Sequence, residues 1–463
     1  ATNFIEADTL TILAKDAISV YESDAVTINR IESTDGDSVS VTSGGAMTVN
    51  GAISTTLGST VNLTTLLGSL NLNQAITTQS GAVTLSAAAG MVLSEQADIT
   101  SVSGNLSLNA GTGAMTMTGD TFVDAGSGLI DIDATGTITL GKLRTTNSGD
   151  LTITSDLGAV LDGGDSPPDI IATGAKLVVR SASGFGEGNT IETQVARLDV
   201  INSGSGAIQI EEIDGLILDR VDQQASGNVN IMTDNGAIST NSFGVSATSG
   251  AVSLYAGGVG GVLSLGAGAD VSTTGGAVTV TAEDGNVTLA GGIRVTGAGD
   301  ITIRAPKGSV LNDPTQVGWK TVSGAFDPEI DWAMRLGKFA TNQTTGEILA
   351  ANVESYNESS HIANGTVIRA ADGPYIQTTD GRLVITARDE IGKTYGTFLF
   401  SPLSLVVDAN ELSVASSERM NVSVIATGNV SVVSDTGVSG SKGGTTGVST
   451  FTGEQTITAP VDA

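Results

Sequence analysis

At Gly81 the chain reads Gly-Ala-Val-Thr-Leu, and 23 residues later, at Gly104, it reads Gly-Asn-Leu-Ser-Leu. The same phrase, Gly-x-aliphatic-polar-aliphatic, returns at Gly128 and Gly149. A second series runs through Gly227, Gly250, Gly276 and Gly299, and Gly45 and Gly68 are a further pair 23 apart. Self-similarity at a period of roughly 20 to 50 residues marks a solenoid or an array. The repeated unit alternates apolar and polar residues, as in Val83-Thr84-Leu85 and Ile301-Thr302-Ile303. That is the period of a strand, not of a helix. Between Gly276 and Gly299, three such pairs (Val278 and Val280, Val287 and Leu289, Ile293 and Val295) are separated by turn residues. The spacing predicts an all-β fold: a right-handed parallel β-helix with about three short strands per coil of 21–26 residues. Equivalent positions of stacked coils would form inward columns of Val, Ile and Leu. Gly and Asn would serve the corners, where positive φ is often needed.

Composition agrees with a thin core. Aromatics make up 3% of the chain and hydrophobic residues 40%, with 61 Gly and only 8 Pro. The absence of cysteine excludes a disulfide scaffold, thiolate metal sites and a Cys nucleophile. Asp and Glu number 49 against 20 Lys and Arg, a net charge of −29. Such a surface repels nucleic acid and anionic membranes, so neither is expected as a partner. Residues 250–269 are uncharged over a bilayer-spanning length. They hold seven glycines and alternate apolar with small polar residues, which reads as strands and turns without membrane insertion.

Solenoid coils are expected over 1–304 and 381–463. Between them, 305–380 breaks the rhythm and reads as an irregular excursion. It carries both tryptophans, Trp319 and Trp332, with Tyr356, Tyr375 and the sole histidine, His361. Within it, Asp327-Pro328-Glu329 has the signature of a short helix start: an N-cap, Pro at the first helical position and acid in the first turn. The five aromatic and His residues are candidates for a ligand or partner patch, because binding residues often ride on loops above a rigid scaffold. Covering a face of the solenoid is the plainer role.

Catalytic signatures are absent from the sequence. One histidine and no Gly-x-Ser-x-Gly elbow argue against a His-based triad, and no Gly-rich phosphate loop ends in Gly-Lys-Ser/Thr. Three acidic clusters are notable: Asp131 with Asp133; Asp162, Asp165 and Asp169 around Pro167-Pro168; and Glu211, Glu212 and Asp214. Their oxygens suit Ca²⁺, and paired carboxylates suit acid–base work on glycans. An acidic chain also produces such clusters by chance. As metal candidates we take Asp131, Asp133, Asp162 and Asp165; no other cofactor is implied.

A longer phrase, from Gly184 to Leu218, resembles giant bacterial exoproteins of the filamentous-haemagglutinin type, whose recurring run is roughly G-I-G-x-x-x-N-P-I-E-T-x-V-x-x-L. Gly184, Phe185, Gly186, Asn189, Ile191, Glu192, Thr193, Val195 and Leu198 occupy that run, with Thr190 where Pro is usual. A second, weaker copy about 206 residues on, around Arg382–Gly392, keeps little beyond Gly392. The resemblance implies a secreted, cell-surface or extracellular adhesin or filament with a β-helical shaft, non-enzymatic, possessing host or cell-surface glycans as candidate partners. The alternatives are a β-helical polysaccharide lyase or hydrolase, and a cation-dependent surface-layer or matrix component. Thr9–Ile12 and Thr456–Thr458 are strand-like close to the two ends. Open strand edges invite pairing, so neighbouring β-coils, of the same or of identical chains, are the expected partners at both ends.

Overall fold

The computed structural model describes residues 3–164, 167–312, 375–378 and 380–391, and the short strands at 319–321, 340–341, 348–349, 367–370, 405–408, 411–416, 419–420, 422–424, 430–432, 438–439, 455–457 and 461–462. The described residues are all-β, with no helix among them. The chain divides into two compact units, 1–216 with 222–231, and 217–221 with 232–463. Each is a stack of parallel strands coiled as a β-solenoid.

In the first unit one coil is Val61–Thr65, Leu70–Leu72 and Ile76–Thr78. The next is Val83–Ser86, Met91–Leu93 and Ile99–Ser101. Each strand pairs in parallel with its counterpart one coil on: Val61 against Val83, Leu70 against Met91, Ile76 against Ile99. The sequence phrase and the structural register therefore coincide, with Val83 opposite Leu106 and Leu106 opposite Ile130.

Alternation turns every second residue inward and builds three columns. Leu63, Leu85, Leu108, Ile132 and Ile153 form one. Met47, Leu70, Met91, Met115 and Ile138 form the second. Ile31, Ile53, Ile76, Ile99, Val123 and Leu143 form the third. All are at most 1% exposed. Full burial of one such side chain contributes about 1.5–3 kcal/mol, but a single coil has no facing layer of its own, so the gain is realised only between neighbours.

Just beyond the third column the inward position turns polar: Ser33, Thr55, Thr78 and Ser101 are buried. Their hydroxyls donate to corner carbonyls, Thr78 to Gly81 at 2.7 Å and Thr55 to Ser59 at 3.2 Å. This satisfies backbone acceptors that the turn takes out of the ladder.

Of the repeated glycines, Gly227 and Gly250 have the positive φ expected, 152° and 155°, but Gly104 has a different cause. Gly104 does not have the left-handed φ that favours glycine; a Cβ there would lie 2.0 Å from the carbonyl oxygen of Gly81, the equivalent residue one coil earlier. Corners stack so closely that no side chain fits between them.

In the second unit Val252–Ala256, Val278–Ala282 and Ile301–Ala305 stack in the same manner. After Val310–Asn312 the chain leaves the stack and returns at Tyr375–Thr378, which pairs with Ile293–Thr296. Arg382–Ala387 then lies on Ile301–Ala305, with Leu383 opposite Ile301. Within the excursion Trp319–Thr321, Val367–Ala370, Ile348–Leu349 and Ala340–Thr341 form their own four-stranded antiparallel sheet. The helix expected from Asp327 lies outside the described residues. The uncharged run 250–269 contains the strands Val252–Ala256 and Leu263–Leu265. Among the described residues no helix is long and apolar enough to cross a membrane.

Candidate functional site

The phrase Gly184–Leu198 builds the most elaborate corner of the first unit. Phe185 points inward and is fully buried, the largest such side chain among the described residues. It bridges Val160 on one side and Ile208 on the other. Gly184 and Gly186, at φ of 110° and 73°, turn the chain on either side of it. Ile191, Thr193 and Val195 then alternate inward along Ile191–Asn202, and Leu198 is buried further on.

Three such corners stack. Phe185 N–H donates to Ala207 O at 2.8 Å, and Gly206 N–H donates to Ser226 O at 3.0 Å. On their outer side lies an open groove of about 510 Å³, lined by Ser183, Glu187, Ser205, Gly206, Ala207, Ser226, Gly227 and Asn228. Beneath it, Asn202 and Gln223 are fully buried. Ser183, Ser205 and Ser226 recur at the coil period, a signal that abundant serine hides in the sequence.

The acids around Pro167-Pro168 form a second centre. Asp162, Asp169 and Glu192 bring one carboxylate oxygen each within 4.8 Å of one another, the one group of three acids that does so among the described residues. Of these, Asp162 is a metal candidate from sequence and Asp169 a member of the same acidic cluster; Glu192 joins them because Ile191–Asn202 lies beside Ile170–Ser181 in parallel register. Asp165 lies outside the described residues. Asp169 is buried, and its Oδ2 accepts Glu192 N–H at 3.0 Å. Asp162 accepts Gly164 N–H at 2.7 Å through Oδ1, and the Asn189 amide through Oδ2. Oxygen donors of this kind suit a hard cation such as Ca²⁺, yet those N–H donors already make the group a clamp between coils.

The other acids separate. Asp131 and Asp133 share the outward face of Ile130–Ala134. Asp131 accepts the Thr152 hydroxyl, and Asp133 accepts Asn109 Nδ2 at 2.6 Å. Partial burial, then the charges of Asp156 and Asp131, raise the Asp133 carboxyl above its ordinary range. Of Glu211, Glu212 and Asp214, alternation turns only Glu212 inward, where it is fully buried. Thr193 Oγ1 donates to Glu212 Oε2 at 2.8 Å, and Val195 N–H lies 3.1 Å from the same oxygen. Burial pushes the Glu212 carboxyl up to about 8 despite these bonds.

Of the proposed aromatic patch, Trp332, Tyr356 and His361 lie outside the described residues. Trp319 begins a strand of the antiparallel sheet, whereas Tyr375 begins a solenoid strand, so these two fall in different sheets. No protein-family model, curated protein or solved structure matched the chain in the comparisons.

Proposed function

We propose that the chain is a length of non-enzymatic shaft from a secreted bacterial surface adhesin or extracellular filament of the filamentous-haemagglutinin type. The observation that supports this most directly is where the cations go. Lys142–Asp120, Arg144–Asp124, Lys176–Asp150, Arg180–Asp199, Arg294–Asp270 and Lys307–Asp284 each join a residue to one on a neighbouring coil. Single pairs at such exposure contribute little, about 0–1 kcal/mol each. Repeated coil after coil, they hold register along the stack, which is what a shaft requires. The excess of acid left over disfavours side-by-side association. The Gly184–Leu198 phrase supports the family reading.

Electron microscopy of the native material tests the shaft, and a cleavage screen against neutral and acidic polysaccharides tests the non-enzymatic part. Fibres or rods with no turnover are expected. Discrete near-spherical particles, or turnover abolished by an Asp or Glu substitution, would overturn the reading.

A further inference from the structure

Asparagine followed by glycine is chemically labile. The glycine amide nitrogen can attack the preceding carboxamide, and no side chain of its own hinders the approach. The described residues hold two such pairs, Asn50-Gly51 and Asn235-Gly236; a third, Asn364-Gly365, lies outside them. Asn50 and Asn235 are both exposed, and each follows directly on or just after a strand at a corner. Accessibility therefore does not separate them, but their geometry does.

At Asn50 the two reacting groups are turned apart. The carboxamide oxygen accepts Asn73 Nδ2 at 2.8 Å, on the following coil, whereas Gly51 N–H donates to Ile28 O at 3.2 Å, on the preceding one. At Asn235 both groups face the same coil. Gly236 N–H donates to Gly257 O at 3.2 Å, and the Asn235 carboxamide lies over Gly258, where a Cβ would meet its Oδ1 at 2.3 Å. The bare Gly258 leaves the carboxamide its space, and among the described residues no hydrogen bond holds it there. Thr233 Oγ1 donates to Gly236 O at 2.8 Å and keeps Gly236 in this orientation.

We propose that Asn235-Gly236 is a site of intramolecular deamidation in the folded chain, with water as its only co-reactant. The inference does not depend on the shaft reading. The Gly236 amide gives its proton to hydroxide, and its nitrogen bonds Asn235 Cγ. The Cγ–Nδ2 bond breaks, and Nδ2 leaves as ammonia with a proton from water. The five-membered succinimide then takes up water at either ring carbonyl. Opening at Cγ yields aspartate; opening at the backbone carbonyl yields isoaspartate, in which the main chain runs through the side chain and is one methylene longer. Nothing is oxidised or reduced. Either product places a new negative charge beside Asp234 and over Gly258, whose N–H already donates to Glu283 Oε2 at 3.4 Å. Isoaspartate also lengthens the corner between Val229–Thr233 and Ile238–Thr240. Conversion accumulates with age and loosens this corner.

The test incubates the folded full chain in mildly alkaline buffer made with heavy-oxygen water. Digestion and mass spectrometry then map the products, with electron-transfer fragmentation to tell aspartate from isoaspartate. A parallel sample is held unfolded in guanidinium chloride. In the folded chain the peptide holding Asn235 converts about tenfold faster than the one holding Asn50, or more, the ratio for a barrier difference of about 1.4 kcal/mol. Isoaspartate forms beside aspartate. In guanidinium the two rates converge, because only the fold turns the Asn50 carboxamide from its nucleophile. Asn235→Gln, which would need a larger ring, stays unconverted while Asn50 serves as the internal reference. The proposal is overturned by any of four results: Asn235 survives in the folded chain under conditions that convert it when unfolded, Asn50 converts as fast as Asn235 in the folded chain, the difference persists in guanidinium, or aspartate forms with no isoaspartate, the mark of direct hydrolysis by water.

Discussion

Asp300 Oδ1 accepts the backbone N–H of Arg382 at 2.8 Å, joining residues 82 apart in sequence. The bond is a repeated device. An Asp or Asn at the head of a strand takes the N–H at the head of the next coil's strand: Asp98 from Phe122 (2.9 Å), Asn105 from Leu129 (2.9 Å), Asp270 from Gly292 (2.7 Å) and Asn286 from Ser309 (2.8 Å). Elsewhere the partners are 22 to 24 residues apart. At Asp300 the same clamp receives the chain on its return from the excursion. Asp300→Ala should lower stability by about 0.5–1.5 kcal/mol, and Asp300→Asn by less, because an amide oxygen still accepts. Urea midpoints measure this; equal loss for Ala and Asn would show that the bond contributes nothing.

A second prediction separates contact from conformation at the glycines. Gly104→Ala forces a Cβ to within 2.0 Å of a backbone oxygen, and backbone cannot swing aside as a flexible side chain can. We expect a loss of about 3 kcal/mol or more, the upper range of overpacking. Gly58→Ala is the control: its nearest atom is Ser80 Oγ at 3.8 Å, and its φ is not left-handed. It should be neutral or slightly stabilising, through reduced freedom of the unfolded chain. Similar melting temperatures for the two variants would refute the close-stacking account.

The buried amides give a third. Asn202→Ala removes the side-chain partner of the buried Gly184 N–H and one donor each from the part-buried Gly204 and Gly206 carbonyls. A loss of about 2–4 kcal/mol is expected, since each orphaned polar group costs about 1–3 kcal/mol. Gln223 also reaches the Gly204 carbonyl, so the double variant with Gln223→Ala should cost less than the sum. Chemical denaturation of all three proteins reads the coupling, and strict additivity would show that the two amides act independently.

Much of this was legible in the chain. The parity of Val83, Leu85, Leu106 and Leu108 reveals which residues face inward, and the step between phrases matches the register. The return after the excursion keeps part of the phrase: Gly381-Arg-Leu-Val-Ile has its glycine and both aliphatics, with Val384 in the polar place, and Gly381 meets Gly299 O as Gly104 meets Gly81 O. Parity also places Glu212 inside, two residues after Ile210. The sites were harder to read. Glu192 reaches Asp162 and Asp169 only through the register of long neighbouring strands. The groove depends on Glu187 folding back over glycines, which no spacing encodes. Positive φ accounts for corner glycines such as Gly227 and Gly250, whereas the close stacking that requires Gly104 is a tertiary fact.

The last prediction concerns pH. The Glu212 carboxyl stands at about 8 in the folded chain against 4.5 ordinarily, raised chiefly by burial and somewhat by the charge of Asp214. As pH rises through 4.5 the unfolded chain releases this proton, while the folded chain keeps it until about 8. Between those values the folded state holds more protons, so stability contributed by this group falls as pH rises. It is fully present below about pH 4.5 and lost by about pH 8. Glu212→Gln keeps an acceptor for Thr193 and Val195 but cannot ionise. The variant should therefore gain on wild type steadily from pH 5 to pH 8.5, and the gap should level off beyond. Glu211→Gln, facing outward on the same strand, should show no such trend and serves as the control for net charge. Melting temperatures across that range decide it. A gap between Glu212→Gln and wild type that stays constant with pH would mean that Glu212 is ionised in the folded core, held by its Thr193 and Val195 donors against the cost of burial.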